Sequence, residues 1–236
     1  MNLRTVERPA TLLEANGAGG YFAGMHGARL ASLLGLALAP LPACRAKVPV
    51  IDAPFTDDFE RAELGASWNA TSDQYRIAGG KLTVANAHNH PAWLRRRLPH
   101  DAVVDVDVLS KSPAGDIKLE LFGDGESFDP DKGAYTSSGY VLIFGGWTNS
   151  LSVICRQDEH GAGRKAGRSD VRVEPNRSYH FTITRKGGAL DWTIDGKPFL
   201  SWTDPEPLAG AGHEYLAVDD WEAELTFDNL TIRPAP

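Results

Sequence analysis

Residues 116–121 read Asp-Ile-Lys-Leu-Glu-Leu. Polar and apolar residues alternate without a break, which is the period of a β-strand with two different faces. Asp116, Lys118 and Glu120 fall on one side, and Ile117, Leu119 and Leu121 on the other. The same alternation recurs on both sides of this stretch. Upstream it appears in Lys81–Val84 and in Asp101–Leu109, where Val104, Val106 and Val108 oppose Val103, Asp105 and Asp107. Downstream come Gly139–Phe144 and Ser150–Arg156, joined by Gly145-Gly146-Trp147-Thr148-Asn149, then Tyr179–Arg185 and Leu190–Ile194. Asp195-Gly196 is a two-residue hairpin turn signal, because both positions tolerate positive φ. It leads into Pro198–Trp202, and Glu214–Val218 and Glu222–Ile232 close the chain. No persuasive helical period occurs after Cys44. About a dozen short strands broken by Gly, Pro and Asp predict an all-β protein, a sandwich or a barrel.

The N-terminal region has a different character. Arg29 precedes an apolar run from Leu30 to Leu41, and Leu41-Pro42-Ala43-Cys44 follows. A basic start, a short apolar core and a small residue at the cut form the pattern of a secretory signal. The run is too short for a membrane-spanning helix, which takes about 20 residues. The stretch resembles the signal sequence and lipobox of bacterial lipoproteins, and that resemblance implies lipidation at Cys44. Residues 1–43 then form the signal region, with Met25 a better start than Met1 because Met25-His26-Gly27-Ala28-Arg29 is a compact basic lead. Residues 44–54 read as a lipidated tether, and residues 55–236 as the folded domain. A buried N-terminal helix followed by a Pro-rich loop is the other reading of the same residues. The expected location is the bacterial cell envelope, with the domain held outside the cytoplasm and anchored to the membrane through Cys44.

The chain has 236 residues and a formal net charge of −7. The signal region carries Arg4, Arg8 and Arg29 against Glu7 and Glu14, so the rest is slightly more acidic. An acidic domain is a poor partner for nucleic acid, which rewards basic surface. Two cysteines, Cys44 and Cys155, are too few for a cysteine-based zinc site. With Cys44 acylated, Cys155 is a lone thiol in an apolar strand; without acylation, a Cys44–Cys155 bridge is the alternative. The domain is expected to be monomeric.

Several phrases in fixed order carry a further resemblance. Phe55-Thr56-Asp57-Asp58-Phe59 precedes Leu64-Gly65 and Trp68; Gly79-Gly80-Lys81-Leu82 opens a strand. Leu190–Gly196 reads as strand and turn, and Trp221–Ile232 ends with Phe227-Asp228-Asn229-Leu230. This order resembles the concanavalin A-like lectin/glucanase jelly roll. More narrowly, it is similar to the laminin-G-like and 3-keto-disaccharide-hydrolase-type domains of bacterial lipoproteins. The resemblance implies a two-sheet antiparallel jelly-roll β-sandwich, with a glycan or oligosaccharide bound on one sheet face or its adjoining loops.

The candidate chemistry is assembled from polar clusters. Retaining glucanases of this superfamily carry two glutamates on one strand face, with carboxylates about 5–5.5 Å apart. No such motif is present. Asp105 and Asp107 lack the glutamates, and Glu222 and Glu224 read as a solvated face. Asp116, Lys118 and Glu120 are either an ordinary wet face or a polar groove for a sugar. Glu120 is the best single carboxylate for catalysis. Arg156-Gln157-Asp158-Glu159-His160-Gly161 is the densest polar loop. It is either a charged hairpin end or a site where Arg156 forks hydrogen bonds to a ligand and Asp158 or His160 moves a proton. The catalytic candidates are thus Glu120, Asp158 and His160, and the ligand-binding candidates are Lys118, Trp147, Asn149 and Arg156. Trp93, Trp147, Trp202 and Trp221 are stacking candidates or core residues; Trp147 is the best placed for a site, and Trp202, like Trp192, alternates with apolar partners and reads as core. His88 and His90 sit two apart, in a segment that reads as a turn or as a metal site. Asp57 or Asp58 with Asp228 could hold a structural calcium, and Asp124, Asp129 and Asp131 offer a second oxygen-rich place. The expected functions are carbohydrate binding, glycoside cleavage of the 3-keto-disaccharide hydrolase type, or a structural envelope role without a small ligand.

Overall fold

The computed structural model describes residues 48–126 and 137–236. Residues 1–43, expected to be a signal region, together with Cys44, Asp129 and Asp131, lie outside the described residues. The domain is a two-sheet antiparallel β-sandwich, one of the two architectures the alternation allows and the one the resemblance implies. Among the described residues, fifteen strands run in chain order: β1 (Phe55–Asp57), β2 (Trp68–Ala70), β3 (Arg76–Ile77), β4 (Leu82–Ala85), β5 (Ala92–Leu94), β6 (Ala102–Ser110), β7 (Ile117–Gly123), β8 (Tyr140–Gly145), β9 (Leu151–Arg156), β10 (Arg164–Arg168), β11 (Ser178–Lys186), β12 (Ala189–Ile194), β13 (Lys197–Thr203), β14 (Tyr215–Asp219) and β15 (Glu224–Pro234). One sheet has the order β13-β12-β11-β6-β15-β4-β3, with β1 paired to the far end of β15. The other has the order β10-β9-β8-β7-β14-β5-β2.

The core lies between the sheets. Val104, Val106 and Val108 from β6 are buried there with Phe181, Trp192, Phe227 and Ile232. Ile117, Leu119 and Leu121 from β7 enter from the opposite sheet, with Leu142, Phe144 and Ile154. Phe144 meets Tyr179 and Phe199 edge-on at 5.0 and 5.3 Å between ring centres. Each such side chain contributes roughly 1.5–3 kcal/mol by leaving water. The turn at Asp195-Gly196 has φ of 52° and 71°, the double positive φ that a tight hairpin needs.

The basic residues Arg164–Arg168 form β10, an edge strand paired to β9; charge on an edge discourages further pairing. Ahead of β1, Val50 bridges Arg97 and Ile51 is buried. One local expectation changes: the charged face of β7 is not wet, since Lys118 and Glu120 are 2% and 0% exposed. The outer face of the seven-stranded sheet carries its own small apolar cluster of Val141, Ile143, Val153 and Cys155, with Trp147 and Leu151 packed on it. Cys155 is a buried free thiol, and burial pushes its pKa up to about 12.

Candidate functional site on the outer face of the seven-stranded sheet

Alternation on β7 sends Lys118 to the outer face, and strand pairing places Asp219 of β14 directly beside it. The Lys118 ammonium donates to Asn89 Oδ1. It lies 3.0 Å from Glu159 Oε2 and 4.0 Å from Asp219 Oδ2. Burial alone would pull the lysine down, but Asp116, Glu159 and Asp219 outweigh it and hold the ammonium above its ordinary range. Burial acts the other way on carboxyls. Asp219 is pushed well above the usual carboxylate range by desolvation, against the pull of Lys118. Asp220 is raised to about 6, again chiefly by desolvation.

These groups come from segments far apart in sequence and are stitched together by backbone bonds. Asp220 accepts from the amides of Ala87 and Asn86 at 2.9 and 3.2 Å. Asn89 and His88 donate their amides to the carbonyls of Asp220 and Trp221. Asp116, with φ of 59°, accepts from the Trp221 amide at 2.9 Å. The turn that carries Asn89 is thus fixed to the segment that carries Trp221.

Above this floor lies a cleft of about 410 Å³. Asn89, Asp116, Lys118 and Glu159 form its polar side, and Trp147, His160, Trp221 and Ile143 its aromatic and apolar side. Trp221 is 47% exposed and meets His88 edge-on at 4.9 Å. Trp147 carries the Arg164 guanidinium 4.0 Å over its ring and the His160 ring edge-on at 6.1 Å. It stands on a short left-handed turn, Gly146–Asn149, in which Trp147, Thr148 and Asn149 have φ of 50°, 58° and 57°.

The cleft gathers Lys118, Trp147 and His160 from the predicted site residues, together with Trp221 from the stacking candidates. The others do different work. Glu120 Oε1 accepts from the Ser138 amide, the Ser138 hydroxyl and the Gly139 amide at 2.9, 3.1 and 2.6 Å, so it ties the start of β8 to β7. Arg156 pairs with buried Asp204 at 2.8 Å. Asp158 accepts from the His160 amide at 2.8 Å and shapes its loop. Asn149 is buried beneath Trp147, bonded to Pro113 and Val173. Glu120, Arg156, Asp158 and His160 therefore do not converge on one cleft.

Of the proposed calcium ligands, Asp57 accepts from Arg61 and from the Trp68 indole, Asp58 from the Glu60 amide, and Asp228 from Lys81. Among the described residues, no cluster of three or more His, Cys, Asp or Glu side chains could hold a metal ion. That includes His88 and His90, which sit in a turn whose residues Asn86, His88 and Asn89 have positive φ.

The comparisons with known proteins bear on the fold. Residues 127–231, under half of the chain, match the family described as Farnesoic acid 0-methyl transferase. No curated protein matches. Among solved structures, carbohydrate-binding module CBM66 from Bacillus subtilis aligns with a TM-score of 0.54 at 16% identity, covering 71% of this chain and 95% of that one. A Bacillus subtilis protein of unknown function with a galectin-like fold gives 0.58 at 14% identity, over 78% and 96% of the two chains. The exoplasmic/lumenal domain of VIP36, in a Ca2+/Man3GlcNAc-bound form, gives 0.56 at 9% identity, over 72% and 84%. At these identities the likeness is one of fold alone, a two-sheet β-sandwich.

Several cleft residues escape a reading by local pattern. Glu159 lies inside the polar loop 156–161, between the candidates Asp158 and His160. Asp219-Asp220-Trp221-Glu222 holds a wall, a strut and a rim in four consecutive residues. Two acids ending an apolar strand before a tryptophan were the available signal. Glu222 is solvent-exposed, as its alternation predicts, and also lines the cleft.

Proposed function

We propose that this protein binds glycans in the cleft bounded by Trp147, His160 and Trp221. The observation that carries this reading is the pairing of aromatic walls with a fixed polar floor in one cavity of about 410 Å³. Pockets of roughly 300–1,000 Å³ suit small ligands, and a sugar offers an apolar ring face to an aromatic wall and hydroxyls to a polar floor. The fold is compatible, since a carbohydrate-binding module and a glycan-bound lumenal domain share the sandwich. Cleavage is the less supported reading, because Glu120, the carboxylate favoured for it, accepts three hydrogen bonds at a strand start.

The test is a glycan array followed by calorimetry on the hits. Trp147→Ala and Trp221→Ala should each weaken binding about tenfold or more, near 1.4 kcal/mol, with the fold retained. Absence of any hit at millimolar sugar would leave a structural envelope role. We further propose that the domain is displayed on the cell envelope through an acylated Cys44. Mass spectrometry of the membrane-extracted protein should find the lipid on Cys44, and Cys44→Ser should move the protein to the soluble fraction.

A further inference from the structure

The cleft's charge is lopsided. Among its lining residues Asp116, Glu159 and Glu222 are acidic and Lys118 is basic. Lys118 does not offset this for a ligand, because its ammonium is 2% exposed and already turned to Asn89, Glu159 and Asp219. An acidic sugar would bring a carboxylate or sulfate beside three carboxylates with its natural cationic partner already engaged.

The acidic residues of the lining differ in what already holds them. Glu159 Oε2 is buried against the Lys118 ammonium at 3.0 Å, so it acts on a ligand through its field rather than by direct contact. Asp116 lines the cleft with its Oδ2 accepting from the Trp221 amide. Glu222 is 63% exposed, with the His88 imidazole 3.7 Å away. The open wall is the exposed indole of Trp221, whose π face attracts a cation. Surplus negative charge and an aromatic wall in one cavity favour a positively charged group.

We propose that the cleft selects glycans carrying a free sugar ammonium group and rejects acidic ones. This rests on the glycan reading above and specifies its ligand class. An ammonium supplies three donors and a positive charge in one small group, whereas a hydroxyl supplies one donor and no charge.

The experiment compares matched oligosaccharides of several linkages, each in neutral, free-amino and carboxylated form. They are titrated into the full protein at a slightly acidic pH where the sugar amine is protonated. The amino form should bind about tenfold tighter than its neutral sibling, and the carboxylated form about tenfold weaker. Raising salt from about 50 to 500 mM should erode the amino preference and leave the neutral affinity unchanged. Glu222→Gln removes charge at an exposed rim position, so folding is not at stake; it should lower the amino-to-neutral ratio several-fold. An amino form no tighter than the neutral one, or an acidic form as tight as either, overturns the proposal while glycan binding stands. If no glycan of any class binds, the glycan reading fails and this one falls with it.

Discussion

Glu120 and Lys118 are two residues apart on β7, share one face and have different work. The carboxylate of Glu120 holds three donors from the start of β8, and the ammonium of Lys118 forms the cleft floor. Charge-assisted bonds of this kind are worth more than neutral ones. Glu120→Gln keeps a carbonyl acceptor but loses the charge, so it should cost about 1–2 kcal/mol of stability. Glycan affinity should stay within about twofold, since Glu120 is not a lining residue of the cleft. Chemical denaturation and titration of the same preparation would check both. A catalytic or ligand-binding Glu120 would give the reverse result, with stability kept and function lost. That both residues share a face was legible in the alternation of residues 116–121. That the face is covered was not. The cover comes from Glu159 and from the turn at residues 86–90, neither adjacent to β7 in sequence.

The connection between β8 and β9 is the element on which the cleft depends most. Three successive non-glycine residues in the left-handed region cost roughly 1–2 kcal/mol each. Asn149 offsets this strain. Its amide donates to the carbonyls of Pro113 and Val173 at 3.1 and 2.8 Å, and its carbonyl accepts the Val173 amide at 2.8 Å. The Ser150 hydroxyl adds a bond to the Trp147 carbonyl at 2.6 Å. Asn149→Ala strips three bonds at once and leaves buried backbone groups without partners. It should destabilise the protein by about 2–4 kcal/mol and also weaken glycan binding by displacing Trp147. Trp147→Ala should weaken binding with a smaller stability loss. If Asn149→Ala leaves affinity unchanged, the turn does not position Trp147. The long strands were readable because each carries several periods of alternation. β1, β2, β3 and β5 have too few residues to show a period. β10 was masked by its Arg, Lys and Gly content, which an edge strand tolerates. Asn149 was placed at the site by its neighbourhood, but its role as a strut required knowing what lies beneath it.

Across the whole domain, carboxylates divide into two groups with opposite effects on acid stability. In Asp57, burial raises the pKa but is outweighed by hydrogen bonds from Arg61, Trp68 and Phe59, so the group is held low. In Asp204, bonds from the Glu206 amide, Tyr140 and Arg156 likewise outweigh burial. Groups held low contribute stability that is present above their unfolded pKa, near 3.8, and is lost as pH falls through the folded value. Asp219 and Asp220 beneath the cleft are raised instead, chiefly by desolvation. Between an unfolded value of 3.8 and a folded value of about 6, folded Asp220 holds a proton that the unfolded chain releases. Its contribution is therefore complete below about pH 4 and lost as pH rises towards about 6, an effect of roughly 3 kcal/mol at most. Asp219 acts in the same direction. The two groups together place the stability maximum on the acid side of neutrality, near about pH 4–5. Thermal melts across the range should show Tm rising as pH drops from about 7 to 5 and collapsing below about 4. Asp220→Asn keeps an acceptor for the Ala87 amide and removes the titration, so it should flatten the limb between about pH 4 and 6 and leave the acid collapse in place. A Tm that falls steadily from neutral pH downward would mean that the buried acids beneath Trp221 are ionised in the folded protein. The charge assigned to the back of the cleft would then be larger, and its pull on an ammonium stronger.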